Sequence, residues 1–152
     1  FVLTRIVQIQ TPVTGYIHLG DAGVIFSALA FGPEAAAIAG GVGTALADVT
    51  SGYLQWAIFS LVIHGLQGYV VGIIVRHETE ILTLLLATFV SLLIVVVGYF
   101  FAGVILEGVA GAVSELLFNV VQAVVGGVIG VSLYIAAARA YPPLVNYTHR
   151  SS

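Results

Sequence analysis

Three stretches of this chain, Val49–Val75, Ile81–Leu106 and Leu116–Ala138, contain no Asp, Glu, Lys or Arg. A helix needs about 20 mostly apolar residues to cross the hydrocarbon core of a bilayer, and each stretch is long enough. Only 7% of the residues are charged and 60% are hydrophobic. A soluble domain carries about 25% charged residues. Too few charges remain to cover a globule in water, so the chain reads as an all-α, polytopic membrane protein. Spans are expected at roughly Leu54–Val75, Ile81–Val104 and Gly111–Ala140.

The front half is more irregular. Phe1–Ile9 reads as the end of a first helix, cut short because the chain starts without Met inside a longer natural N-terminus. Thr11-Pro12 and Gly15-Tyr16 mark a loop. Asp21–Phe31 is apolar and is stopped by Gly32-Pro33. Its length covers about 17 Å, short of a core of about 30 Å. The preceding loop is therefore expected to dip into the bilayer and meet it, surrounded by protein or water. Pro33 suits the first turn of the next helix, which runs to about Val49. The expected architecture is a single domain over residues 1–152. It is a six-helix transmembrane bundle with a short second helix and a re-entrant first outer loop.

Arg76, Arg139 and Arg150 fall on one side of this arrangement, and the loops at 11–20, 50–56 and about 105–111 have no Lys or Arg. The positive-inside rule puts both termini in the cytoplasm. The chain has no lysine and a net charge of −3, so nothing points to nucleic acid. Without cysteine there are no disulfides, thiol chemistry or cysteine metal sites. His18 and His64 sit on separate elements without an H-x-x-x-H spacing, so no metal site is expected. GxSxG, HExxH and P-loop motifs are missing, so neither catalysis nor ATP hydrolysis is expected of this chain.

Polar residues inside the apolar runs are the candidates for function, because intramembrane polar groups are costly. Glu115, Asn119 and Gln122 share one face of the sixth helix. They line either a ligand cavity or an interhelical hydrogen-bond ladder. Ser60, His64 and Gln67 sit on the fourth helix, and His64 and Gln67 offer donors and acceptors to a polar ring. Tyr16, His18, Tyr53, Gln55 and Trp56 form either a ring-binding rim or an interfacial aromatic belt. Asp21 is placed to cap the short helix, and Asp48 to anchor a helix end. Arg5 is expected to pair with Asp48 or Glu115, and Glu107 to be solvated. Gly40 and Gly43, Gly68 and Gly72, and Gly126 and Gly130 have the spacing of close helix packing or of a partner-docking face.

GYIHLGD (15–21), FGP (31–33), ALAD with SGY (45–53), HGLQG (64–68) and FNVVQAVVGGVIG (118–130) occur in order across most of the chain. Together they resemble the substrate-binding S components of energy-coupling factor (ECF) transporters, in the riboflavin- or hydroxymethylpyrimidine-type branch. The resemblance implies a prokaryotic plasma-membrane protein that captures a vitamin or precursor near the outer face. It implies as partners a transmembrane coupling protein and two cytoplasmic ATPases, which use the ATP. It also implies toppling in the membrane to release substrate inward. The family's ligand contacts map onto Tyr16, His18, His64, Gln67, Asn119 and Gln122. Gln67 stands where many relatives are expected to have an acid, which favours a neutral ring. Hydroxymethylpyrimidine-like, pyridoxine-like and riboflavin cargoes all stay open. The alternative is an autonomous small permease or channel, which would need a continuous polar path.

Overall fold

A computed structural model describes residues 1–11 and 15–145. Pro12, Arg150 and the polar tail beyond residue 145 lie outside the described residues. Among the described residues the chain is all-α apart from one small hairpin. The helices are α1 (Val2–Ile6), α2 (Gly20–Phe31), α3 (Pro33–Ser51), α4 (Leu54–Ile74) and α5 (Ile81–Ala140), followed by a 3-10 turn at Pro142–Leu144.

Two of these, α4 and α5, are long and apolar enough to cross a membrane. At 60 residues, α5 would extend about 90 Å if straight. It is broken at Gly108, whose φ of 78° lies in the left-handed region that glycine enters freely. A Cβ on Gly103 would lie 3.2 Å from Ala112, and one on Gly127 would touch Thr88. The two arms of α5 therefore run antiparallel. The loop expected at about 105–111 is replaced by a one-residue reversal. Outward positions such as Leu82 and Ile105 stay more than 70% exposed, as lipid-facing residues must.

The first segment differs from expectation. Helix α1 ends at Ile6, and Gln8–Gln10 (β1) pairs antiparallel with Tyr16–His18 (β2). The segment expected to be an irregular dipping loop is thus a β-hairpin. Strand pairing satisfies backbone groups that would be costly away from water. The α2–α3 turn falls at Gly32-Pro33, with Pro33 in the first turn of α3. Asp21 does not cap α2: Leu19 holds the cap position and no side chain bonds there.

All six glycines with helix-packing spacing sit at close approaches. A Cβ would come within 2.6 Å of the His64 carbonyl from Gly40, 2.8 Å of the Phe1 nitrogen from Gly43 and 2.7 Å of the Ile25 Cβ from Gly130. From Gly68, Gly72 and Gly126 it would overlap Ala36, Pro33 and Asp21. These contacts bring α3 onto α4 and α2 onto the second arm of α5.

Two apolar clusters result. One, toward the Gly32-Pro33 end, holds Ile25, Leu29, Val71, Val75, Leu84 and Tyr134. The other, toward the Gly108 end, holds Trp56, Ile63, Val95, Ala102 and Ala123. A buried polar layer of Asp21, His64, Gln67 and Ser91 lies between them along α4 and α5.

Candidate functional site

At the Gly108 end the helices and the hairpin enclose a cavity of about 40 Å³. By the same measure one water needs about 10–15 Å³ and a cavity that takes benzene is about 150 Å³, so the space as it stands is that of a few waters. The hairpin contributes Gly15, Tyr16 and His18, and the last turn of α3 contributes Asp48. Helix α4 contributes Trp56 and Ser60 from its first two turns. The first arm of α5 brings Tyr99 and Gly103, and its second arm brings Glu115, Asn119 and Gln122. The i, i+4, i+7 spacing of the last three puts them on one face, which turns inward.

Of the residues singled out in the sequence, Tyr16, His18, Trp56, Glu115, Asn119 and Gln122 line this space. Tyr53 does not. Its ring lies tilted against Tyr16 with ring centres 4.8 Å apart, and it lines an adjoining groove with Arg5, Gln8 and Ser51. His64 and Gln67 are fully buried behind the wall. Asp48 and Ser60, given lesser roles by the sequence, line the cavity, and so does Tyr99. Ser60 carries the clearest signal, lying one turn before His64 on the same helix face.

The hydrogen bonds around the cavity form a connected set. His64 Nδ1 lies 2.7 Å from Gln67 Oε1 and 3.3 Å from Asp21 Oδ1. Gln67 Nε2 donates to Asp21 Oδ1 at 2.7 Å and to Ser91 Oγ at 2.9 Å. The Tyr99 hydroxyl is 3.1 Å from His64 Nε2 and 2.6 Å from Ser60 Oγ. On the hairpin side, Tyr16 donates to Asp48 Oδ1 at 2.5 Å. The His18 amide donates to Gln122 Oε1 at 3.0 Å, and the Gly20 amide donates to His18 Nδ1 at 3.0 Å.

Burial, with Asp48 alongside, raises the Tyr16 phenol above its ordinary range, so it stays a donor. Burial also holds the His18 imidazole down at about 4, and nearby His64 adds to the effect. Arg5 does not reach an acid. Its guanidinium donates to the Ser51 hydroxyl, which also takes a bond from Gln8. Glu107, expected in solvent, keeps both carboxylate oxygens shielded and unpartnered. Burial, with Glu115 nearby, raises its carboxyl above the usual range.

Three buried polar atoms on cavity-lining residues have no partner: Asp48 Oδ2, Glu115 Oε1 and Trp56 Nε1. Leaving such groups unpaired costs about 1–3 kcal/mol each. Beneath the cavity the polar layer and then the apolar cluster around Ile25, Leu29 and Val71 fill the bundle. The arrangement defines a membrane protein with a polar recess at one end of a packed helical body. It is the architecture of a substrate-binding transport subunit.

Comparison with known proteins supplies the family. Residues 1–139 match the ECF-type riboflavin transporter S component, and the chain belongs to that family. It is 36% identical over 150 residues to the thiamine precursor transporter HmpT of Lactococcus lactis subsp. cremoris (strain MG1363), covering 97% of this chain and 81% of that protein. It is 42% identical over 145 residues to an uncharacterized protein of Pyrococcus woesei, covering 94% of this chain and 97% of that one.

Proposed function

We propose that this chain captures a small water-soluble ring of the thiamine-precursor kind and delivers it inward as the S component of an ECF importer. The observation that carries this reading is the convergence of unpartnered Asp48, Glu115 and Trp56 atoms on one cavity. A ligand with a few polar atoms would satisfy all three. The cavity of about 40 Å³ must widen to take any ring, and by less for a single substituted ring than for the three fused rings of riboflavin. The HmpT relative points the same way. Tyr16, His18, Trp56, Glu115, Asn119 and Gln122 are the assigned contacts. His64 and Gln67 support the wall from behind, and Tyr53 lies tilted against Tyr16 at the mouth.

In this reading the two arms of α5 count as separate spans of a six-helix bundle. The mouth opens outward, and Arg76 and Arg139 mark the cytoplasmic end with both termini. A coupling protein and two ATPases supply the driving force, and this chain itself needs no cofactor or metal. A channel fits less well, because apolar side chains close the bundle below the polar layer.

Native mass spectrometry of the purified protein tests the cargo, and copurification with ATPase subunits tests the assembly. A retained hydroxymethylpyrimidine-sized molecule is the expected result. A retained flavin would overturn the cargo assignment, and conduction by the isolated chain would overturn the importer.

A further inference from the structure

We propose that Asp48 is the specificity-determining residue of the cavity, because its buried, unpartnered carboxylate oxygen accepts hydrogen bonds and so selects a ring edge bearing N–H donors. This rests on the reading of the cavity as the ligand site.

Gln67 Nε2 faces the Asp21 carboxylate, and the opposite amide orientation would set two acceptors against each other. Gln67 Oε1 therefore faces His64, and Nδ1 of His64 sits between two acceptors and carries a hydrogen. Two cases remain for the other ring nitrogen. If Nε2 is bare, it takes the Tyr99 hydrogen, and the Tyr99 oxygen takes that of Ser60. If Nε2 carries a hydrogen, Tyr99 donates to Ser60, whose own hydrogen then faces the cavity. In either case Tyr99 has no hydrogen left for a ligand, and Asp48 Oδ2 can only accept. The Tyr16 hydrogen is already engaged by Asp48 Oδ1.

What this wall presents is lone pairs on Ser60 and Tyr99 together with Asp48 Oδ2, which is buried on a residue only 3% exposed and has no partner. Donors come from elsewhere: Trp56 Nε1 and the amides of Asn119 and Gln122, beside which Glu115 Oε1 is a second unpartnered acceptor. Apart from the Ser60 hydrogen of the second case, donors are thus found only away from the Asp48 side. An amino-substituted nitrogen heterocycle matches it, with the amino group toward Asp48 and a ring nitrogen or hydroxyl oxygen toward Trp56. A ligand that turns an acceptor toward Asp48 meets an unpaired carboxylate, which a buried site rejects strongly.

Trp56 is the single tryptophan of the chain and lines the cavity, so its fluorescence reports occupancy. The test titrates the purified protein with two probe pairs that differ only in an amino or a methoxy group. One pair is 4-amino-5-hydroxymethyl-2-methylpyrimidine and its 4-methoxy counterpart. The other is 2-aminopyridine and 2-methoxypyridine. The amino member should bind at least about tenfold tighter. Asp48→Asn keeps a carbonyl for Tyr16 and turns the unpartnered oxygen into an N–H donor, so the preference should vanish or invert. Ser60→Ala removes one acceptor and should lower the same ratio if the Asp48 variant fails to fold. Equal affinities in the wild type, or a ratio unchanged in the folded variants, would overturn the proposal. Discrimination within the pyridine pair alone would sink the precursor reading while upholding this one. Silence from both pairs would end both.

Discussion

The backbone amide of His18 donates to the side-chain oxygen of Gln122 at 3.0 Å, fastening the β-hairpin to the second arm of α5. Both residues line the cavity, so the same bond that holds the hairpin down also closes one wall. Gln122→Ala should loosen that closure and weaken cargo binding about tenfold, the size of one lost hydrogen bond of about 1.4 kcal/mol. Hydrogen exchange at Tyr16–His18 should speed up, while α4 keeps its protection. Unchanged exchange would mean that this bond does not hold the hairpin down.

Asn119 and His64 should separate binding from stability. Asn119 lines the cavity, so Asn119→Ala should cost about tenfold in affinity and little in melting temperature. His64 is fully buried against Asp21. Removing one partner of such a buried pair costs about 3–5 kcal/mol, so His64→Ala should show first as a loss of thermal stability. Calorimetry and ligand titration on the same preparations decide this.

Two helical glycines should respond differently to one methyl group. A Cβ at Gly126 overlaps the Asp21 side chain, and overpacking of this kind costs about 1–3 kcal/mol. A Cβ at Gly65 meets nothing closer than 3.7 Å. Gly126→Ala should lower the melting temperature clearly, and Gly65→Ala should leave it unchanged or slightly higher. Equal effects would show that helix propensity outweighs contact distance here.

Acid should weaken the hairpin. Burial depresses the His18 imidazole from 6.5 to about 4, so the folded chain takes up its proton later than the unfolded chain. The folded state then loses stability as pH falls through 6.5 and stops losing it near 4. His18→Gln should flatten that part of a pH–melting curve, with Tyr16, Asp21 and His64 unchanged around it. A wild-type curve already flat over this interval would remove His18 as the cause.

Much of this was legible because lipid makes sequence patterns strict. The charge-free runs around α4 and α5 and the Gly32-Pro33 stop mark the long elements directly. Glu115, Asn119 and Gln122 announce a shared face by spacing. Depth was not legible in the same way. Periodicity says that His64 and Gln67 face inward, but not that Tyr99 and Ser60 stand between them and the cavity. The three-residue strands Gln8–Gln10 and Tyr16–His18 are too short to show alternation, so the hairpin looked like a loop. Asp48 at a helix end looked like an anchor, since only the third dimension brings Tyr16 to it. Gly108 gave no sign that one residue would replace a loop, because a lone glycine in an apolar run does not reveal its backbone angle.

That single-residue reversal has a consequence for how such a vessel can be retuned. On the α5 side there is no rim to lengthen, trim or decorate. Any change in what the vessel holds must come from the side chains of its walls, or from the paired strands that lie across the opening.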